Sequence, residues 1–351
     1  MKFEIENIVR TSIKEMDPYA SARDDFQGEA TVFLDANESP FNTGLNRYPD
    51  PSQLALKQQV SKVKNVPVEN IFIGNGSDEV IDLLFRAFCE PGKDRVMVLP
   101  PSYGMYGVSA RINNIGLVEV PLDSEFRLNV DQIKLKSTEM VKLMFLCSPN
   151  NPTGNSIGLD QVERLLASFG GLVVLDEAYI DFSKMPSAIR LLEKYPNLVV
   201  LQTLSKSWGL AGIRVGLGFA SKDVLRVLNK IKPPYNVNVL SQKIAIEALG
   251  NVEQQKSWVK AVLVQKEMME LALGSLNFIK RVYPSDANFI LFKVANADQL
   301  YAFLVQNGIV IRNRTAMYGC ENCLRVSIGT MEENVNFLEK LNEYELNIKQ
   351  K

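Results

Sequence analysis

The chain has 351 residues, 46% hydrophobic and 23% charged, with a net charge of −1; this is room for two domains of an ordinary globular protein, with no field to draw nucleic acid or an anionic membrane. The opening residues, MKFEIENIVRTSIKEMDPY, are charged throughout and do not read as a signal peptide, and no stretch approaches the ~20 apolar residues of a membrane span. A soluble, cytoplasmic protein is expected.

In chain order, residues 1–35 are poor in apolar surface and are expected to pack on a smaller domain or on a partner subunit. Short apolar runs follow at 70–74 (NIFIG), 95–100 (RVMVLP), 116–122 (GLVEVPL), 141–147 (VKLMFLC), 171–179 (GLVVLDEAY), 198–204 (LVVLQTL) and 214–220 (RVGLGFA). Amphipathic stretches such as 77–90 and 159–170 lie between them. Runs this apolar, bounded by Gly, Pro and Asn, read as strands buried on both faces of a mostly parallel sheet. The short link before 214–220 marks that strand as antiparallel. Residues 239–275 read as helix with a break at Gly250. Beyond them, strands at 288–294, 309–313 and 324–329 and a helix at 298–308 describe a small α+β unit. The expected fold class is α/β: a large domain over 36–250 with a mostly parallel seven-stranded mixed sheet between helices, and a smaller α+β domain formed by 251–351 with the arm 1–35.

Open α/β sheets bind ligands beyond the carboxyl ends of their strands. After NIFIG comes GNGSDE, which is either a capped tight turn or an anion site on backbone N–H groups at a helix start. After VKLMFLC comes SPNNPTG, a turn sequence in which Asn151 can aim its amide at a ligand. After GLVVL, Asp176 is a helix cap or the partner of a cationic ring nitrogen, with the phenol of Tyr179 close behind. After LVVLQ comes TLSKSWGLAGIRVG, with Lys206 between Ser205 and Ser207 and Arg214 further on. Such a lysine either packs its stem and reaches water, or forms a Schiff base with an aldehyde. Hydroxyls and a guanidinium beside it suit a phosphate.

Other chemistries are closed by composition. There is no histidine, so Ser-His triads and histidine metal sites are excluded, and proton transfer falls to Lys, Tyr, Cys, Asp or Glu. Four cysteines in so long a chain make no disulfide framework. Cys320 and Cys323 form CENC without a second pair or a histidine, so ordinary packing is expected and no metal. An amine, an acid, an amide, a phenol and an anion cradle at one sheet edge together fit pyridoxal 5′-phosphate.

GNGSDE, PSYGMY, SPNNPTG, DEAY, SKSWGLAGIRVG and CLRVSIGT together resemble the fold-type I pyridoxal-phosphate aminotransferases of the aspartate aminotransferase superfamily. Within it, DPYASAR (17–23), LDANESPFN (34–42) and RYPDP (47–51) are similar to the histidinol-phosphate aminotransferase family. The likeness runs in order from residue 10 to 345. It implies that Lys206 bonds covalently to the cofactor, that Asp176 pairs with its ring nitrogen, and that Asn151 and Tyr179 hydrogen-bond its phenolic oxygen. Tyr103 would stack on the ring. The phosphate would rest on the backbone of Gly76, Ser77 and Asp78, with Ser205, Ser207 or both, and Arg214. Tyr48 would reach that phosphate from a neighbouring subunit, which implies a homodimer with shared active sites. Arg312 and Arg325 would bind the substrate's anionic groups, and Tyr19 would close over the site. DPY stands where NPY is commoner, and SKSWG where SKAFG is common.

The implied reaction takes imidazole acetol phosphate and L-glutamate to L-histidinol phosphate and 2-oxoglutarate, in histidine biosynthesis. Amino acids and a phosphorylated amino alcohol are then the partners, with no nucleic acid and no membrane. Two enzymatic alternatives use the same residues: an aminotransferase for aromatic or branched amino acids, and a phosphothreonine-type decarboxylase. A transcription regulator on this fold would need a DNA-binding module, for which the N-terminus has neither room nor a basic patch.

Overall fold

The computed structural model describes residues 3–17 and 31–349. The large sheet is built from β1 (Ile71–Asn75), β2 (Arg95–Val98), β3 (Gly116–Glu119), β4 (Val141–Cys147), β5 (Leu172–Asp176), β6 (Leu198–Thr203) and β7 (Val215–Ala220). Its order is β1-β7-β6-β5-β4-β2-β3, and only β7 runs antiparallel to its neighbours, as its short link predicts. The helices in chain order are α1 (Thr11–Glu15), α2 (Leu54–Lys64), α3 (Ser77–Phe88), α4 (Met105–Ile112), α5 (Val130–Lys136), α6 (Leu159–Ser168), α7 (Lys222–Ile231), α8 (Val239–Leu249), α9 (Val252–Ser275), α10 (Ala297–Gln306) and α11 (Met331–Lys349). No helix among the described residues is long and apolar enough to cross a membrane.

Side chains alternate across a strand, and both faces here are covered. Ile71, Ile73, Val173 and Leu175 enter one apolar cluster, whereas Phe72, Leu172 and Val174 enter the other. That double burial is why the strands read as unbroken apolar runs. The second cluster stacks Phe85 on Phe145 and Tyr106 on Phe145, with centroids 5.5 and 4.6 Å apart. Truncating either phenylalanine to Ala would cost about 3–5 kcal/mol.

Side-chain caps set several helix starts. Asn129, Asn238, Asn251 and Asn296 each accept from the backbone N–H three residues on. The Asn251 cap starts α9 immediately after the break at Gly250.

A second, antiparallel sheet carries β8 (Ile279–Val282), β9 (Phe289–Val294), β10 (Arg312–Asn313) and β11 (Cys323–Ser327), in the order β10-β11-β9-β8. The expected strand at 309–313 shrinks to Arg312–Asn313. Gly308 takes φ +77° and Ile309 donates to Leu304 O at 2.9 Å, so those residues close the end of α10 instead.

The N-terminal segment also departs from expectation. Ile5, Ile8 and Val9 join the α3 side of the large-sheet core. Arg10 donates from its backbone N to Ala87 O and from Nη1 to Arg86 O, both at 3.0 Å. These carbonyls end α3 without helical partners, so the segment satisfies them and packs on the large sheet, not the small one.

Candidate active site

The topology gathers the motifs at one edge. The last residues of β4 and β5 are paired, Cys147 with Asp176, and Ser148 N donates to Asp176 O at 2.9 Å. Because β7 is antiparallel, its first residues lie beside the ends of β1 and β6, with Val215 opposite Asn75 and Gly216 opposite Thr203. Arg214 therefore arrives at the same edge, and its carbonyl accepts from Gly76 N at 2.8 Å. Ser77, Asp78, Tyr103, Cys147, Asn151, Asp176, Ala178, Tyr179, Thr203, Ser205, Lys206, Ala211 and Arg214 line one cleft there.

Asp176 forms its floor and is 3% exposed. Tyr106 donates its hydroxyl to Asp176 Oδ2 at 2.7 Å, and Ala178 N donates to Oδ1 at 3.0 Å. Burial raises the Asp176 pKa, and the Tyr106 hydrogen bond opposes that shift. Tyr106 comes from the buried face of α4 and was not singled out from the sequence, although it closes the PSYGMY motif. Tyr103 crosses its ring edge-on to Tyr106 at 5.6 Å and donates to Asp78 Oδ1 at 3.1 Å.

Lys206 stands at the open side of the cleft, its Nζ 5.6 Å from the centre of the Tyr179 ring. Loss of solvent, then the Arg325 charge, lowers its pKa, while Asp176 acts the other way. Thr203 Oγ1 lies 2.9 Å from Ser205 Oγ and accepts from Ser205 N at 3.1 Å, fixing the turn that carries the lysine.

The anion cradle is backbone at close quarters. Gly76 has φ +77°, and a Cβ there would sit 2.6 Å from Arg214 Nη2. A Cβ on Gly216 would overlap Ser77 N and Gly76 C. Arg214 itself adopts φ +54°, a conformation that costs a non-glycine residue about 1–3 kcal/mol. Its guanidinium lies 3.7 Å from Asp78 Oδ2, at the start of α3, where the first backbone N–H groups have no helical acceptor.

The small sheet closes one side. Arg325 Nη1 donates to Asn151 Oδ1, and its guanidinium lies 5.0 Å over the Phe289 ring. Asn151 Nδ2 stands 3.5 Å from Tyr179 OH. Arg312 lies opposite Arg325 in the β10–β11 pairing.

A profile of the family "Aminotransferase class I and II" matches residues 28–341. The chain belongs to that family. It is 52% identical over 342 residues to the histidinol-phosphate aminotransferase of Flavobacterium johnsoniae, covering 97% of this chain and 98% of that one. With the histidinol-phosphate aminotransferase of Cytophaga hutchinsonii it shares 49% identity over 348 residues, covering 98% of this chain and all (100%) of the relative. The crystal structure of the histidinol-phosphate aminotransferase from Clostridium acetobutylicum superimposes with a TM-score of 0.80 at 25% identity, covering 87% of this chain and 92% of that one.

Not every residue expected at the site of this aminotransferase lies in the cleft. Ser207 Oγ donates to Asp181 Oδ2, and Lys64 Nζ is 3.3 Å from the other oxygen of that carboxylate. The turn after β6 puts successive side chains on different sides, so Ser205 faces the cleft and Ser207 the half-buried Lys64–Asp181 ion pair. Tyr48 stacks on Tyr235 at 4.4 Å and is not among the residues lining this chain's cleft. Tyr19 falls outside the described residues. Cys320 and Cys323 are free thiols buried in the main apolar cluster.

Pyridoxal 5′-phosphate fits these residues. The cleft joins an amine of lowered pKa to a buried carboxylate held by two neutral donors, Tyr106 and Ala178, and behind Ser77 the backbone of Gly76 and Gly216 packs too closely for a Cβ.

Proposed function

We propose that this aminotransferase uses pyridoxal 5′-phosphate to move the amino group of L-glutamate to imidazole acetol phosphate, giving L-histidinol phosphate and 2-oxoglutarate in histidine biosynthesis. The observation that carries this reading is the convergence of Lys206, Asp176 and Arg214 on one cleft, with Arg325 at its side. Lys206 would hold the cofactor covalently, and the backbone of Gly76, Ser77 and Asp78, with Ser205 and Arg214, would hold its phosphate. Asp176 would hold the ring nitrogen as a cation, since a buried carboxylate is stabilised by an opposite charge. Tyr103, Asn151 and Tyr179 would frame the ring. The bound cofactor supplies an electron sink.

The protein's own groups do the rest. Tyr106 keeps the Asp176 carboxylate aimed into the cleft. Lys206 Nζ, freed when the substrate's amine takes its place, would move the proton at the substrate's nitrogen-bearing carbon, because its lowered pKa leaves a larger share as neutral amine. No histidine competes for that role. Arg312 and Arg325 take the anionic ends of both substrates, phosphate in one and carboxylate in the other.

In the same reading the chain works in the cytoplasm as a homodimer, and the partner subunit's Tyr48 completes each phosphate pocket. Its support is the position of Tyr48, 51% exposed beside the exposed Leu45 and Leu240, an apolar face of the kind that subunits cover. The division into 36–250 and 251–351 belongs to this reading too; its support is the apolar cluster that Ile290, Phe292, Leu324 and Val326 of the small sheet form with α9, α10 and α11, while Leu291 and Cys323 join the core of the large domain.

The test is a survey of half-reactions on the cofactor-loaded protein, followed by the absorbance of the bound cofactor. L-Histidinol phosphate and L-glutamate should convert it quickly. Equal rates with L-phenylalanine, or release of carbon dioxide from O-phospho-L-threonine, would overturn the reading.

A further inference from the structure

A third arginine shares the face of the small sheet that carries Arg312 and Arg325. The backbone N–H of Arg314 donates to Cys323 O at 2.9 Å, one register step beyond the Arg312–Arg325 and Asn313–Leu324 pairs. Alternate residues of a strand point to one side, so Arg312 and Arg314 both project where Arg325 meets Asn151. The segment is clasped in place: Asn313 Nδ2 donates to Asp298 Oδ1 at 2.6 Å, and Thr315 N donates to Asn313 Oδ1 at 2.9 Å.

Among the described residues, five buried side-chain polar atoms have no hydrogen-bond partner. Two are glutamine carbonyl oxygens elsewhere, on Gln53 and Gln202. The other three, the ones able to donate, are Arg314 Nε, Thr315 Oγ1 and Arg325 Nε. Buried donors are nearly always satisfied, so this concentration marks a place built for an acceptor-rich anion. No ion pair among the described residues involves any of the three arginines. Burial and then the Arg314 charge push the Arg325 pKa down to about 10, which an arriving anion would relieve.

We propose that Arg314 is a specificity-determining residue which, with Arg312, Arg325 and the Thr315 hydroxyl, receives the substrate's phosphate monoester. This rests on the reaction proposed above. A phosphate monoester carries about −1.5 to −2 charges on three oxygens, whereas a carboxylate carries one charge on two. Two guanidiniums satisfy a carboxylate; a third favours the dianion.

The experiment compares cofactor-loaded wild type, Arg314→Gln and Arg314→Lys with L-histidinol phosphate and L-glutamate in separate half-reactions. The ratio of the two kcat/KM values, phosphate substrate over glutamate, should fall ~10-fold or more in Arg314→Gln and less in Arg314→Lys. Inorganic phosphate is a second probe on the holoenzyme, where the cofactor's own phosphate fills the Arg214 cradle. The concentration giving half its maximal rise in Tm should increase ~10-fold in Arg314→Gln. Equal losses for both substrates, or unchanged protection by inorganic phosphate, would overturn the assignment. A wild type inert toward the phosphorylated amino alcohol would instead defeat the parent reaction, while the phosphate titration would still read Arg314.

Discussion

Arg325 and Asn151 join the small sheet to the large one, the guanidinium donating to the amide oxygen while it lies 5.0 Å over the Phe289 ring. A lysine at this position keeps the charge but loses the planar fork and the stacking. Arg325→Lys should therefore lower kcat/KM for both L-glutamate and L-histidinol phosphate by ~100-fold. A specificity constant within about twofold of wild type would contradict the role of Arg325.

Tyr106 is the neutral donor to the buried Asp176. Tyr106→Phe leaves Oδ2 unsatisfied, at a cost of about 1–3 kcal/mol in stability. The carboxylate should also hold a ring cation less well, lowering kcat ~10-fold. Denaturant midpoints and single-turnover rates measure the two effects separately. A variant less stable but equally fast would make Tyr106 a packing residue only.

Gly216 faces the turn that opens α3. Gly216→Ala places a methyl against Ser77 N, and backbone cannot swing aside as a flexible side chain can. Loss of cofactor affinity by ~10-fold or more, read by equilibrium dialysis of pyridoxal 5′-phosphate, is expected. Wild-type affinity would mean that the cradle lies elsewhere.

Glu177 gives the stability a pH dependence of its own. It is buried, accepting from Ala188 N at 2.7 Å, Gln202 Nε2 at 2.9 Å and Ser187 Oγ at 2.5 Å. Burial pushes its pKa up from 4.5 to about 7. The folded state then binds more protons than the unfolded one between those values, so this contribution is full below 4.5 and is lost as pH rises through about 7. The slope is at most about 1.4 kcal/mol per pH unit. Glu177→Gln should flatten the fall in urea midpoint between about pH 5 and about pH 7. An unchanged slope would place the titrating group elsewhere.

Much of the site was legible because a parallel sheet presents its strand ends at one edge, so motifs far apart in the chain had to meet. GNGSDE, Asn151, Asp176, Tyr179 and Lys206 were readable on that ground. Of the residues that reach the site by other routes, Arg312 and Arg325 were named only through the family resemblance, and Tyr106 and Arg314 were not named. Tyr106 comes in on a helix face, and Arg314 follows a strand of two residues, Arg312–Asn313. Ser207 looked equivalent to Ser205, yet a turn separates their directions. In α11, polar and charged residues hide the buried positions Asn334, Phe337, Leu341 and Tyr344. The packing of the N-terminal segment rests on Ile5, Ile8 and Val9, too few apolar residues to announce a docking site.

In the proposed reaction Lys206 both holds the cofactor and moves the proton. Borohydride reduction of the loaded protein, followed by peptide mass spectrometry, tests it most directly. One pyridoxyl-modified peptide, the one containing Lys206, is expected, and none after Lys206→Ala. Stable modification of a different lysine in the wild type would contradict it.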